Sequence, residues 1–453
     1  MAAAESPETE GFTAKGRATR ERILRSAADV LLSDGLSGFN LERVRGAADV
    51  SGSQLSHYFA DKPALIRAVL DRQIDLVLDF HRQPKLGGLL TFDDFERWAD
   101  INLRYLRSID YAKTPTYHSL AGQLAKSDDA TRRTLGDGYR RWVALLEQSF
   151  QRMKDRGVLV TSVDPRALAL VVVCGHQGAG TLGFAYREDW PLADASRFIV
   201  NYLRTFAADP NERVARRARR ARRRRTRDVS DGDDNGDARL TQKGLVTRGR
   251  IVSRAAELMF QRGVNGTSLD DVRKAVNVSG SQLSHYFADK RDLTRKVIAT
   301  RANEVIEFHT QPELGHLDSL GALRSWAQAC VANSEAVYLR GGCIYGSLAG
   351  ELLESDDEIL DDLCAGYDDW VDLFGDGLSA MRRRGDLTSE ADPRHLAVAV
   401  VVAHQGGAML THAMETVEPL EALVTAAVDY VSSFRPAPRK RTSRSRSRPS
   451  NKR

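Results

Sequence analysis

The stretch SGSQLSHYFADK, Ser51–Lys62, returns without a change as Ser279–Lys290. The same offset of 228 aligns Thr19-Arg20 with Thr247-Arg248, Trp98 with Trp326, and SLAG at Ser119 with SLAG at Ser347. It also aligns Trp142 with Trp370, Asp164-Pro165-Arg166 with Asp392-Pro393-Arg394, and His176-Gln177-Gly178 with His404-Gln405-Gly406. No gap is needed from about Lys15 to about Leu203, so the 453 residues hold two copies of one unit of about 190 residues, joined by a linker of about 35. Two copies are too few for a solenoid, and the unit is too long for one.

Apolar spacing makes each unit all-helical. Ile23, Leu24, Ala27, Ala28, Leu31 and Leu32 form one helical stripe, kept in copy 2 as Ile251, Val252, Ala255, Ala256, Met259 and Phe260. Gly35 and Gly263 are expected to stop that helix. A short second helix follows, capped by Asn40 or Ser268, with Leu41, Val44 and Ala47 (Leu269, Val272 and Ala275) expected inward. After a turn at Asp49-Val50 a third begins at Ser51, and Asp61 caps a fourth that runs to about His81. About five more fit beyond, with breaks near Pro84, Thr114-Pro115, Ser127, Asp164-Pro165 and Pro191.

Two short helices a few residues apart read as a helix-turn-helix, whose second helix offers N-terminal side chains to base edges in the major groove. Val50, Leu55 and Phe59 hold that helix down, and Ser53, Gln54, Ser56, His57 and Tyr58 are left facing outward. Glutamine suits adenine, and serine and tyrosine suit phosphates. Ser51 and Gln54 also fit a capping box, in which the glutamine reaches back to the Ser51 backbone. Both readings stand for Gln54 and for Gln282. Lys62 follows a helix cap, where the dipole disfavours a cation; it is read as sharing that N-terminus with a DNA phosphate. The dodecamer is identical in both copies while the later helices keep scattered matches. That is expected if both helices read one kind of half-site.

These residues resemble the TetR family of bacterial transcriptional regulators, most specifically from the first helix through VSGSQLSHYFADK, and the likeness spans each whole unit. The resemblance implies two tandem units, each with an N-terminal three-helix DNA-binding domain and a C-terminal helical body for ligand binding and dimerisation. GCIYGSLAGEL from Gly342 resembles the start of the family's sixth helix. HQGAG at His176 and HQGGA at His404 resemble its penultimate helix, packed in the dimer's four-helix bundle; both histidines are read as interface residues. Carried over by position, the DNA-facing residues are Thr19, Arg20, Asn40, Ser51, Ser53, Gln54, His57, Tyr58 and Lys62. Their partners in copy 2 are Thr247, Arg248, Ser268, Ser279, Ser281, Gln282, His285, Tyr286 and Lys290. Many members have tyrosine where this chain has Ser56 and Ser284. Ordinary members are single units that pair as homodimers.

The expected organisation is an arm (1–14), a helix-turn-helix domain (15–62), a regulatory body (63–207), an Arg-rich then Asp-rich linker (208–242), a second helix-turn-helix domain (243–290), a second body (291–434) and a basic tail (435–453). The net charge of +5 hides its arrangement. Residues 213–227 hold ten arginines, and the chain from Phe434 onward holds nine basic residues. Without those and the five aspartates of 228–237, the remainder carries −9. The basic tracts suit polyanions through counterion release, without reading sequence. A non-specific nucleic-acid compaction protein acting through them is therefore the alternative function.

The start carries acid and no apolar core, so a signal peptide is not expected, nor is a membrane span. The four cysteines, Cys174, Cys330, Cys343 and Cys364, form no CxxC pair. No metal, cofactor or disulfide is expected from them, although Cys330 and Cys343 leave a redox sensor open. The chain reads as cytoplasmic. No nucleophile–base pair or phosphate loop occurs in both copies, and GAGTLG near Gly178 lies in an apolar helix, so an enzyme is not expected.

The expected partners are a double-stranded DNA operator and a small-molecule effector of unknown identity. The copies are expected to pair within one chain as a pseudo-dimer, or as a homodimer of fused chains. A linker of about 35 residues reaches roughly 30–35 Å as a coil, comparable with the roughly 34–36 Å between half-sites. An effector pocket is expected among Trp98, Tyr117, Tyr139 and Trp142, and in copy 2 among Trp326, Tyr345, Tyr367 and Trp370. Pro115, Tyr117 and His118 align with Cys343, Tyr345 and Gly346, a different chemistry at one place, so one body can keep a ligand that the other has lost.

Overall fold

A computed structural model describes residues 12–109, 116–213, 241–352 and 356–436, without the side chains of Ser37 and Gln123. Pro115, the arginine run beyond Arg213, the acidic linker and the tail beyond 436 lie outside the described residues.

Copy 1 has nine helices among the described residues: α1 (Ala14–Gly38), α2 (Leu41–Ala48), α3 (Gly52–Tyr58), α4 (Lys62–His81), α5 (Phe92–Ser108), α6 (Tyr117–Leu124), α7 (Asp129–Asp155), α8 (Pro165–Tyr186) and α9 (Trp190–Arg204). Copy 2 repeats them as α10 (Gln242–Arg262), α11 (Leu269–Val276), α12 (Gly280–Tyr286), α13 (Lys290–His309) and α14 (Leu320–Ala332). A π-turn (Ser334–Tyr338) and α15 (Leu339–Gly341) then precede α16 (Gly346–Leu352), α17 (Asp357–Arg384), α18 (Pro393–Met414) and α19 (Glu418–Ser432). The pairs α2/α11, α3/α12, α4/α13, α8/α18 and α9/α19 keep the offset of 228 at both ends. Only an isolated antiparallel bridge, Leu159 to Ala207, departs from helix and loop among the described residues.

Local chemistry sets these ends. Asn40 and Asp61 accept the N–H groups of Arg43 and Ala64 and open α2 and α4. Pro165 and Pro393 occupy the first turns of α8 and α18, where a missing N–H costs nothing. Gly263 (φ +79°) ends α10. Gly35 (φ +63°) kinks α1 without ending it, because one more turn runs to Gly38. Ala47 and Ala275, expected inward, are exposed; Val44 with Ala48, and Val272 with Val276, make the buried stripe at i, i+4. The first helix starts at Ala14, one residue before the expected start of the helix-turn-helix domain. Thr13 caps α1, and the Phe12 ring packs on Tyr58 and His57 at 5.1 and 5.8 Å.

The two copies pack on each other through α8 and α18, flanked by α7, α9, α17 and α19. A Cβ on Gly178 would strike the Val402 carbonyl, and one on Gly406 the Cys174 carbonyl. Glycine lets these backbones approach. Both helices are long and apolar enough to cross a membrane by composition, but 89% and 94% of their apolar windows are buried inside the protein. Their apolar surface is spent on the core and the copy–copy contact. Polar contacts ring this seam: Arg166 with Glu418 (2.5 and 2.8 Å), Arg132 with Glu415 (2.9 Å), and Tyr186 with Asp368 (3.0 Å).

Candidate nucleic-acid interface and a cavity in the first copy

The helix α3 is held by buried Val50, Leu55 and Phe59, leaving Ser51, Ser53, Gln54, Ser56 and His57 exposed and Tyr58 half-buried. Copy 2 repeats this with Val278, Leu283 and Phe287 buried and Ser279, Ser281, Gln282, Ser284 and His285 exposed. Neither short helix carries an acid or a lysine or arginine. They offer neutral hydrogen-bonding groups.

The capping box is formed in both copies. The Ser51 N–H donates to Gln54 Oε1 at 2.8 Å, and Ser51 Oγ accepts the Gln54 N–H at 3.1 Å. Ser279 and Gln282 do the same at 2.9 and 3.1 Å. An N–H partner fixes the glutamine oxygen inward, so each side chain presents only its NH2. Bidentate adenine reading needs both atoms, so it requires the cap to open. Ser53 and Ser281 lie 3.0 Å from the cap serines, and Ser56 Oγ donates to the Gly52 carbonyl.

Several expected DNA contacts are engaged elsewhere. Lys62 has partners inside the protein. Its ammonium donates to the carbonyls of Leu36 and Phe39 at 3.2 and 2.5 Å and lies over the Phe39 ring, so it closes the kinked end of α1. Lys290 is half-buried, and burial lowers its pKa. Thr19 is buried and bonded to the Lys15 carbonyl, and Thr247 bonds likewise to that of Lys243. Arg20 and Arg248 lie over Phe59 and Phe287 at 5.4 and 5.8 Å. Asn40 and Ser268 are exposed caps.

Copy 1 holds an open cavity of about 580 Å³ between α4, α5, α6, α7 and α8, with exposed Arg25 and Asp29 of α1, Leu76 of α4 and Tyr105 of α5 also in its lining. Tyr117 and Trp142 line it, and Trp98 and Tyr139 stand behind its wall. Most of the lining lies outside the residues expected from the sequence, including Gln73, Leu76, Asn102 and Phe184. The overlooked signal is the comparison between copies: these four are Arg301, Glu304, Cys330 and His412 in copy 2. His176 faces this cavity and not the copy–copy seam. It packs on Trp98 and Trp142, and His404 packs on Trp326 and Trp370. The seam's close approach belongs to Gly178 and Gly406, two residues on.

Histidines organise the wall. His81 Nδ1 donates to the Val77 carbonyl at 2.7 Å, so Nε2 accepts both indole N–H groups, from Trp98 at 3.0 Å and Trp142 at 3.2 Å. Burial pushes His81 and His118 down to about 4 and His176 to about 3, so all three are neutral. Burial also raises the thiols of Cys330 and Cys343, which makes them poor redox sensors. Among the described residues no group of three or more His, Cys, Asp or Glu is placed to hold a metal.

Residues 251–297 match the family model for bacterial regulatory proteins of the tetR family, and residues 319–427 match the tetracyclin repressor-like C-terminal domain. The transcriptional regulator AcuR of Cereibacter sphaeroides is 24% identical over 171 residues, which cover 38% of this chain and 75% of that protein. The negative transcriptional regulator IcaR of the Staphylococcus epidermidis biofilm operon icaADBC is 31% identical over 61 residues, 14% of this chain and 33% of its own length. Among solved structures, a TetR transcriptional regulator from Chloroflexus aurantiacus is 24% identical, covering 43% of this chain and 98% of its own, with a TM-score of 0.39. Reduced Escherichia coli NemR is 20% identical, covering 43% and 100%, with a TM-score of 0.37.

Proposed function

From the premise that the chain belongs to the TetR family of bacterial transcriptional regulators, we propose how this DNA-binding regulator works. It is a cytoplasmic, non-enzymatic repressor whose two identical recognition helices read the halves of one pseudo-palindromic operator, and a small molecule in the regulatory body releases it. The observation that carries this reading is the duplicated helix. α3 and α12 share one sequence, one capped geometry and one exposed face. The packing of α8 on α18 supports pairing of the copies within one chain, as a covalent pseudo-dimer. The DNA-facing residues we propose are Ser51, Ser53, Gln54, His57 and Tyr58 with their copy-2 partners. Asn40, Ser268, Arg20 and Arg248 lie at the periphery. Thr19, Thr247, Lys62 and Lys290 support the helix by their packing.

Footprinting with a light-scattering mass of the complex tests this. We expect two protected half-sites one helical turn apart and the mass of one chain on the duplex. Uniform protection would favour a compaction protein working through the basic tracts, and two chains per operator would remove the pseudo-dimer.

A further inference from the structure

The two regulatory bodies differ where a ligand would sit. In copy 1, Gln177 Oε1 accepts hydrogen bonds from Tyr139 and from His118 Nδ1, both at 3.0 Å. The Gln177 NH2 must then face His176 Nδ1, at 3.4 Å. A ring that accepts at Nδ1 and stays neutral carries its proton on Nε2. His176 therefore borders the cavity with a donor that has no partner among the described residues; of the charged lining residues, Arg25, Asp29 and Lys85 are exposed and Arg72 is paired with Glu21.

Copy 2 has dismantled this arrangement. His118 becomes Gly346, and a Cβ there would strike the Gln405 amide, which fills the vacated space. Gln405 Oε1 and the Tyr367 hydroxyl are buried without a hydrogen-bond partner. Gln73 and Leu76 become Arg301 and Glu304, which pair with each other at 2.5 Å one turn apart on α13. The π-turn then brings Tyr338 inward. It is buried, and its hydroxyl lies 2.8 Å from His404 Nε2, with the rings edge to face at 5.3 Å. That nitrogen is the counterpart of the one copy 1 leaves over.

We propose that copy 1 alone senses effector, that Tyr338 is a built-in occupant of the copy-2 site, and that the effector resembles it: an uncharged aromatic molecule with a hydroxyl or carbonyl oxygen set on His176 Nε2. This rests on the effector-released reading above. The ligand end set at His176 is uncharged because the groups around it are neutral: His81 accepts two indole N–H groups, and His118 is bonded to the Gln177 amide, and a buried unpaired charge there is costly; the charged lining residues Arg25, Asp29 and Lys85 are exposed. A cavity of about 580 Å³ lies within the usual range for small molecules.

The test uses 2-naphthol as the probe and naphthalene as its oxygen-free control, titrated calorimetrically into the full chain. One site per chain is expected, with naphthalene weaker by roughly fivefold for the missing hydrogen bond. His176→Leu should erase that preference. Tyr338→Ala should raise the count to two, and Tyr338→Phe, which keeps the ring in place, should leave it at one. Two sites in the parent chain would overturn the proposal, as would a folded Tyr338→Ala chain that still binds one. If the parent binds neither compound, the proposed ligand chemistry falls. A footprint that still shows two half-sites would then leave the DNA reading intact.

Discussion

The amide oxygen of Gln54 is committed to the Ser51 N–H at 2.8 Å, which leaves the NH2 facing solvent. Glutamate at this position makes an equally good capping box, so Gln54→Glu with Gln282→Glu separates the helix cap from DNA contact. We expect the urea midpoint to stay within error while operator affinity falls at least tenfold, because a carboxylate replaces the donor and meets phosphates. Unchanged operator affinity in gel-shift titrations would confine both glutamines to the cap. Replacing Ser51 by alanine should instead cost about 1 kcal/mol of stability. The cap was legible in the sequence because its partners lie three residues apart. The role of Lys62 was not, since its carbonyl partners are 26 and 23 residues upstream, where only the folded kink at Gly35 brings them.

Among the helices, α6 has the longest reach. Its N-terminal residues Tyr117 and His118 line the cavity of copy 1. Just beyond its C-terminus, Lys126 reaches copy 2, 3.2 Å from Glu351 and 3.0 Å from Ser347 Oγ, and lies over the Phe260 ring of α10. Glu351 in turn accepts the Val264 N–H at 2.6 Å, at the end of α10. A continuous run of contacts thus leads from α6, which lines the cavity of copy 1, to the end of α10 in copy 2. Both side chains are about 95% buried (5% and 4% exposed), and burial raises the Glu351 pKa despite the lysine. Lys126→Ala should therefore cost about 3–5 kcal/mol by stranding Glu351, and Lys126→Met with Glu351→Gln should recover most of it; urea melts of both decide the matter. The buried histidines of α4, α6, α8, α13 and α18 add a pH dependence. Their folded pKa values of about 3 to 4 lie below the ordinary 6.5. The unfolded chain then binds more protons as pH falls from about 6.5 toward 4, so stability is full above that window and drops through it, by up to about 1.4 kcal/mol per pH unit per histidine. A urea midpoint that is flat from pH 7 to 5 would contradict this. Helix ends were legible to within a few residues because caps and prolines are local signals. The π-turn that turns Tyr338 inward has no such signal, and the differing polarity of aligned wall positions was its only trace.

Across the whole molecule the seam distinguishes the copies by charge. Copy 1 contributes Lys126, Arg132, Arg166 and Arg187, and copy 2 answers with Glu351, Glu415, Glu418 and Asp357. The offset of 228 says what like pairing would bring. Glu415 corresponds to Arg187, so two copies of the first unit would set Arg132 against Arg187. Lys126 corresponds to Glu354, so two copies of the second would offer Glu351 an acid in place of its lysine. Arg394, the counterpart of Arg166, makes no such ion pair across the seam; it lies over the Trp190 ring at 5.7 Å. Each exposed pair contributes little to affinity, but like charges at several points give specificity for the unlike partner. Cutting the linker removes the tether that holds the copies at millimolar effective concentration for a linker of suitable length. If the seam alone selects its partner, the cut halves should remain a one-to-one complex, and tagged first halves should exchange with untagged second halves and not with each other. Arg132→Glu with Arg187→Glu should loosen that complex at least tenfold in analytical ultracentrifugation, and Glu415→Arg with Asp357→Arg in the other half should restore it. Equal exchange between like halves would show that the covalent linker, and not the charge pattern, keeps the two copies together.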